Sequence, residues 1–123
     1  MELLESGQMY LETILVLSKQ NTKVRAIDVS KYLNYSKPSV SRAMGILKNG
    51  GFIEIDVNGY ITLTKNGELS AKKIYERHNV LTTMLEHIGV DKETALNDAC
   101  KIEHVISDET FNALKEYIKK IDN

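Results

Sequence analysis

The chain has 123 residues, 42% hydrophobic and 27% charged, with one proline and one cysteine. That length can bury one core or two small ones. No apolar run approaches the ~20 residues of a bilayer-spanning helix, and the acidic start, Met1-Glu2-Leu3-Leu4-Glu5, lacks the pattern of a secretion signal, so a cytoplasmic protein is expected. The net charge of −1 hides an asymmetry: residues 19–50 hold Lys19, Lys23, Arg25, Lys31, Lys37, Arg42 and Lys48 against Asp28 alone. A basic block in an otherwise acidic chain points to a polyanion partner, or to a solvated lysine-rich face.

In chain order, a first helix is expected from about Ser6, an N-cap, through Ile14 and Leu17 to the Gln20-Asn21-Thr22 break. A short second helix places Ile27, Val29 and Leu33 inward and stops at Asn34-Tyr35. Ser36-Lys37-Pro38-Ser39 then supplies a cap and an early proline for a third helix, which buries Val40, Met44 and Leu47 and ends at Gly50-Gly51. Its outward residues are Ser39, Ser41, Arg42 and Lys48. Two short helices joined by a tight turn, the second opening with small hydroxyl residues and carrying an arginine one turn in, suit a helix-turn-helix entering a major groove. Arg42 can read guanine or hold a phosphate, and Ser36, Ser39 and Ser41 can bond phosphates or base edges, with plain capping as the alternative for the serines.

Phe52-Ile53-Glu54-Ile55-Asp56-Val57 alternates apolar and acidic residues, and Asn58-Gly59 signals a type I′ turn. Tyr60-Ile61-Thr62-Leu63-Thr64 returns as a second strand, completing a two-stranded wing. After Thr64-Lys65-Asn66-Gly67 a long helix is marked by Leu69, Ile74, Leu81, Met84, Leu85 and Ile88, closing at Gly89, with His78 midway. Asp91 caps the next helix, and Ser107-Asp108-Glu109 opens a last one carrying Phe111, Leu114, Ile118 and Ile121. The fold class expected is mainly α with a small β-hairpin wing: a winged helix-turn-helix in residues 1–66 and a helical dimerisation domain in residues 67–123. Three helices after a wing are too few for an easy independent core. Pairing of two copies would supply one and would match two half-sites about 34 Å apart.

In Asn97-Asp98-Ala99-Cys100-Lys101-Ile102-Glu103-His104, a thiol, a carboxylate and an imidazole fall at i, i+3 and i+4 and share one side of a helix. The apolar Ala95, Ala99, Ile102, Val105 and Ile106 centre on nearly the opposite side, so core packing does not account for the trio. Cys100, the only cysteine, cannot form an internal disulfide, which leaves its thiol for a metal or for no ligand. His87 has no partner at motif spacing and reads as a surface residue.

The chain resembles the metal-dependent transcriptional repressors of the diphtheria-toxin-repressor and manganese-regulator type (DtxR/MntR). The resemblance rests on Met9-Tyr10-Leu11-Glu12-Thr13-Ile14, Ser36-Lys37-Pro38-Ser39-Val40-Ser41, Leu63-Thr64-Lys65-Asn66-Gly67, Arg77-His78, and the stretch from Asn97 through His104 to Val105-Ile106-Ser107-Asp108-Glu109. It implies a homodimer that binds operator DNA when metal is held between the first helix and the later helices, repressing genes of metal uptake. Carried over residue by residue, the iron-type pattern matches Met9, Cys100, Glu103 and His104; His78 matches a histidine used by both branches, and Glu12 a glutamate of the manganese branch. Sulfur from Met9 and Cys100 favours Fe(II) over Mn(II), with Zn(II), Co(II) or Ni(II) as surrogates. Thr82 and Leu96 stand where a second iron-branch site needs a glutamate and a histidine. One metal per subunit is therefore expected, with a second drawing on Glu12 and His78 left open. The short form, without an SH3-like domain, is expected. The implied DNA-binding set is Arg25, Ser36, Lys37, Pro38, Ser39, Ser41, Arg42 and Lys48, with Asn58 and Gly59 at the wing tip. Two alternatives stand beside this reading: a winged-helix regulator not gated by metal, and a small zinc-dependent hydrolase.

Overall fold

The computed structural model describes residues 5–21 and 23–121; the acidic start from Met1 to Leu4, and Thr22 of the expected break, lie outside the described residues. The elements are α1 (Glu5–Gln20), α2 (Ala26–Leu33), α3 (Lys37–Asn49), β1 (Ile53–Ile55), β2 (Ile61–Leu63), α4 (Lys65–His87), α5 (Lys92–Ile102) and α6 (Asp108–Ile121). They fall into two compact units divided after Lys72, within α4.

In the first unit α1 buries Tyr10, Leu11, Ile14 and Leu15, a stripe at helical spacing that packs on α2, α3 and β2. Ser6 lies inside α1 instead of capping it. Asn34, at φ 58°, ends α2 in the left-handed conformation that asparagine tolerates. Ser36 then caps α3, accepting from Ser39 N–H at 3.4 Å, with Pro38 in the first turn where its missing N–H costs nothing. At the other end Gly51 takes φ 82°. Its N–H donates to Lys48 O at 3.1 Å and Phe52 N–H donates to Leu47 O at 3.0 Å, so the carbonyls orphaned by the helix end are satisfied and Phe52 turns into the core. Val40, Met44 and Leu47 form the buried face of α3.

β1 and β2 are antiparallel, with Ile53 opposite Leu63 and Ile55 opposite Ile61. The strands are shorter than the alternation of residues 52–64 implies, and the turn is not type I′. That geometry needs positive φ at both Asn58 and Gly59, and only Gly59, at 83°, has it. Asp56 N–H donates to Tyr60 O at 3.1 Å, which closes a three-residue loop around Val57, Asn58 and Gly59. The Asp56 carboxylate selects this loop by accepting from the N–H groups of Asn58 and Tyr60, both at 2.9 Å. Val24, just before α2, adds a bridge to Ile61 with a 2.7 Å hydrogen bond, tying the wing to the helices.

α4 opens at Lys65, three residues earlier than expected. Thr64 caps it: its Oγ1 accepts from Gly67 N–H at 3.1 Å and donates to Gly51 O at 2.6 Å, placing Gly67 inside the first helical turn. Two members of the expected apolar stripe, Leu69 and Ile88, are exposed.

In the second unit the core consists of Ile74, Leu81, Ala95, Ala99, Phe111 and Ile118. Gly89, at φ 105°, ends α4, with Val90 N–H donating to Leu85 O at 2.9 Å. Asp91 caps α5 by accepting from Thr94 N–H at 3.2 Å, and Ser107 Oγ accepts from Thr110 N–H at 3.1 Å at the start of α6. No helix among the described residues is long and apolar enough to cross a membrane.

Candidate metal centre and nucleic-acid interface

The polar trio does not lie along an uninterrupted helix. α5 stops at Ile102; Glu103 is its C-cap, still with helical angles of −57° and −25°, and His104 follows in the turn. Nor do the faces separate as the helical wheel implies. Glu103 continues the line of Ala95 and Ala99 at four-residue intervals and is 0% exposed, whereas Val105, counted among the apolar set, is exposed.

His78, from α4, places Nδ1 2.9 Å from Glu103 Oε2. His104 Nε2 is 3.3 Å from Glu103 Oε1 but lacks the alignment of a hydrogen bond, so this buried oxygen is left without one. A buried carboxyl oxygen in that condition costs stability, on the order of 1–3 kcal/mol, unless a cation or donor reaches it. The Glu103 carboxylate, the two imidazoles beside it and the half-buried thiol of Cys100, one turn earlier in the chain, are oxygen, nitrogen and sulfur groups of the types that ligate divalent transition metals. The residues of this unit fit such an ion.

What holds Glu103 and His104 in place is Arg77, a residue without a role of its own in the sequence reading. It is 7% exposed, and one terminal nitrogen donates to Glu103 O at 3.1 Å and to Ile106 O at 2.8 Å, satisfying carbonyls that the end of α5 leaves open. The other terminal nitrogen bonds the Asp108 carboxylate, while the guanidinium lies 5.4 Å from the centre of the Phe111 ring. Lys73 also pairs with Asp108 at 3.2 Å. Hydrogen bonding from Lys73, then from Arg77, holds the Asp108 carboxyl below its ordinary pKa. A depressed folded-state pKa means stability present above the unfolded carboxylate range and lost as pH falls through the folded value. Asp108→Asn is therefore expected to lower the thermal midpoint near neutral pH, with the gap closing on acidification below the depressed value. Melting curves across the acid limb check this, and a gap that stays constant to the lowest pH refutes it.

In the first unit Met9 and Glu12 stand one turn apart on α1, both half-buried. Met9 Sδ accepts a 3.3 Å hydrogen bond from the Tyr35 hydroxyl, and Met9 O accepts from Thr13 Oγ1 at 2.9 Å. The outward side of α3 presents Lys37, Pro38, Ser39, Ser41, Arg42 and Lys48, all exposed. Ser36 and Ser39 are tied to each other through a 2.8 Å hydroxyl–hydroxyl bond, so Ser36 acts as a cap. Arg25 precedes α2, its N–H donating to Asp28 Oδ2 at 2.9 Å and its guanidinium 4.5 Å from the centre of the Tyr60 ring. Lys23 lies over the same ring at 5.8 Å. These cations and Tyr60 form a basic, aromatic shoulder beside the wing, and of the three only Arg25 is among the candidate DNA-binding residues expected from the sequence.

Residues 2–61 match the family model for the N-terminal DNA-binding domain of iron-dependent repressors, and residues 64–123 match that for the family's metal-binding and dimerisation domain. The chain belongs to this family. It is a metal-regulated, DNA-binding transcriptional regulator with the winged-helix fold of the DtxR/MntR group, a family of regulators and not of enzymes. An uncharacterised HTH-type transcriptional regulator of Methanocaldococcus jannaschii is 34% identical over 118 residues, 94% of each chain. The transcriptional regulator MntR of Escherichia coli is 32% identical over 111 residues, 90% of this chain and 72% of the relative. Among solved structures, a manganese-dependent transcriptional repressor in complex with manganese superposes with a TM-score of 0.85 at 23% identity, over 92% of this chain and 52% of that longer one, a likeness of fold.

Proposed function

We propose that this iron-dependent-repressor family member is a cytoplasmic, homodimeric repressor of metal-uptake genes that responds to Fe(II) in preference to Mn(II). The observation that carries the reading is Glu103: fully buried, bonded to His78 on one oxygen and lacking a hydrogen bond on the other. Met9, Cys100, Glu103 and His104 are the proposed ligands of one ion, Met9 being carried over from the family pattern, and His78 and Glu12 are the candidates for a second. When bound, the cation would neutralise the buried Glu103 carboxylate. Sulfur from Cys100 and Met9 biases the set toward Fe(II), with Co(II), Ni(II) and Zn(II) as surrogates. Residues 1–66 are assigned to DNA binding, and residues 67–123 to metal binding and dimerisation.

Operator DNA takes α3 in its major groove. Lys37, Pro38, Ser39, Ser41, Arg42 and Lys48 face it, Ser36 holds the helix start where backbone N–H groups suit a phosphate, Arg25 grips the backbone, and the loop at Asn58 and Gly59 lies alongside. Repression by metal is a linkage: the clamped state binds both ligands better than the loose state, and a tenfold shift takes about 1.4 kcal/mol. The deciding measurement is fluorescence anisotropy of duplex from the gene's own upstream intergenic region, titrated with protein and Fe(II), Mn(II) or Zn(II) at fixed salt. Binding that needs Fe(II) at lower concentration than Mn(II) is expected, and metal-independent binding sinks the proposal. Arg42→Ala should weaken operator affinity by about 1–3 kcal/mol with metal uptake unchanged. Normal operator binding by that variant would refute the assigned groove face.

A further inference from the structure

Tyr35 sits in the turn between α2 and α3. Its backbone is fixed at both polar groups: Tyr35 N–H donates to Ser30 O at 3.1 Å, and Tyr35 O accepts from Ser30 Oγ at 2.6 Å. The next residue, Ser36, is the cap of α3. The side chain is 43% exposed, rests edge-on against Tyr10 with ring centres 6.1 Å apart, and sends its hydroxyl to Met9 Sδ. One bond thus ties a proposed metal ligand to the start of the groove-entering helix.

We infer that Tyr35 is a coupling residue, its phenol held by the Met9 sulfur in the metal-free, DNA-free protein and released when either ligand binds. This rests on the assignment of Met9 as a ligand. A thioether sulfur that gives a lone pair to a cation becomes a poorer acceptor, so coordination through Met9 weakens the phenol's bond. A phosphate at the N-terminal end of α3 is a stronger acceptor than a thioether, and an exposed tyrosine hydroxyl beside it exchanges one for the other. Each ligand therefore gives up the same contact on binding alone, and whichever binds second does not give it up again. Two ligands that disrupt one shared contact bind cooperatively by the worth of that contact, without any change in fold.

The test measures Co(II) binding by isothermal titration calorimetry to the full chain, with and without saturating duplex from the gene's upstream region. The proteins are wild type, Tyr35→Phe, Met9→Leu and the double variant, each first checked for helicity by circular dichroism. Loss of one hydrogen bond predicts that Tyr35→Phe binds Co(II) about two- to tenfold more tightly without DNA. Its affinity in the presence of DNA should be unchanged, so that metal–DNA coupling falls by the same factor. With Met9→Leu in place, adding Tyr35→Phe should change nothing. Equal or weaker DNA-free binding by Tyr35→Phe overturns the inference, as does a Tyr35→Phe effect that persists alongside Met9→Leu. If Met9→Leu weakens Co(II) binding while Tyr35→Phe is silent, the coupling fails alone. If Met9→Leu binds Co(II) as tightly as Tyr35→Phe, which lacks the same contact but keeps the sulfur, the ligand assignment fails and takes the coupling with it.

Discussion

Gly67→Ala is expected to destabilise the first unit by about 2 kcal/mol or more, although alanine is the better helix former by about 1 kcal/mol. A Cβ at Gly67 would lie 1.9 Å from Phe52 O and 2.9 Å from its carbonyl carbon. That carbonyl cannot easily withdraw. It accepts from Thr64 N–H at 3.0 Å, and Phe52 is itself buried at the point where α3 passes into β1. Relief means parting the first turn of α4 from the base of the wing, which also loosens the Thr64 cap and its bond to Gly51. Gly45, in the middle of α3, is the control: nothing lies within 4 Å of its added Cβ, so Gly45→Ala should stabilise by up to about 1 kcal/mol. Chemical denaturation of both variants reads the two signs. A Gly67→Ala variant as stable as wild type would mean that α4 and the wing are not packed in this way.

The winged helix was legible because its signals are local. A cap and proline at Ser36 and Pro38, a glycine stop at Gly51, and alternation in β1 each act over a few residues; the first two form as expected, and the strand keeps Ile53–Ile55 of its alternating stretch. What escaped depends on partners distant in sequence or on a competing side chain. Asp56 overrode the Asn58-Gly59 turn signal by offering its carboxylate to two N–H groups, and the bridge between Val24 and Ile61 joins segments with no shared pattern. Gly67 reads as a loop residue because glycine usually breaks helices, yet here it serves close approach to Phe52. In the candidate metal centre the residue types of Cys100, Glu103 and His104 were readable, but their arrangement was not. A helical wheel assumes that the helix continues and that its polar side faces water. α5 ends at Ile102, and Glu103 points with the alanines. Arg77 was missed as a positioning group because a lone arginine in a helix carries no spacing signal; its partners, Glu103 O, Ile106 O and Asp108, appear only once α4, α5 and α6 are folded together.

Glu103→Gln should move metal affinity and metal-free stability in opposite directions. The substitution keeps the shape of the side chain and exchanges one carboxyl oxygen for an amide nitrogen. Replacing a direct ligand should cost more than the 10- to 100-fold typical of outer-shell partners, so a fall of at least about 100-fold in Co(II) affinity is expected. Without metal the balance differs. The carboxyl is fully buried, one oxygen has no hydrogen bond, and His104 Nε2 stands 3.3 Å away. Exchanging a buried group in that condition for a neutral amide removes part of its desolvation cost, so the metal-free variant should unfold at the same temperature or higher, by about 1 kcal/mol at most. A residue whose only role is to brace α5 against α4 through His78 would behave otherwise: its loss would lower the metal-free midpoint and change metal affinity little. Calorimetric titration and thermal melts on one preparation separate the two. Unchanged Co(II) affinity with a lowered melting temperature would assign Glu103 to packing and remove the carboxylate from the proposed site.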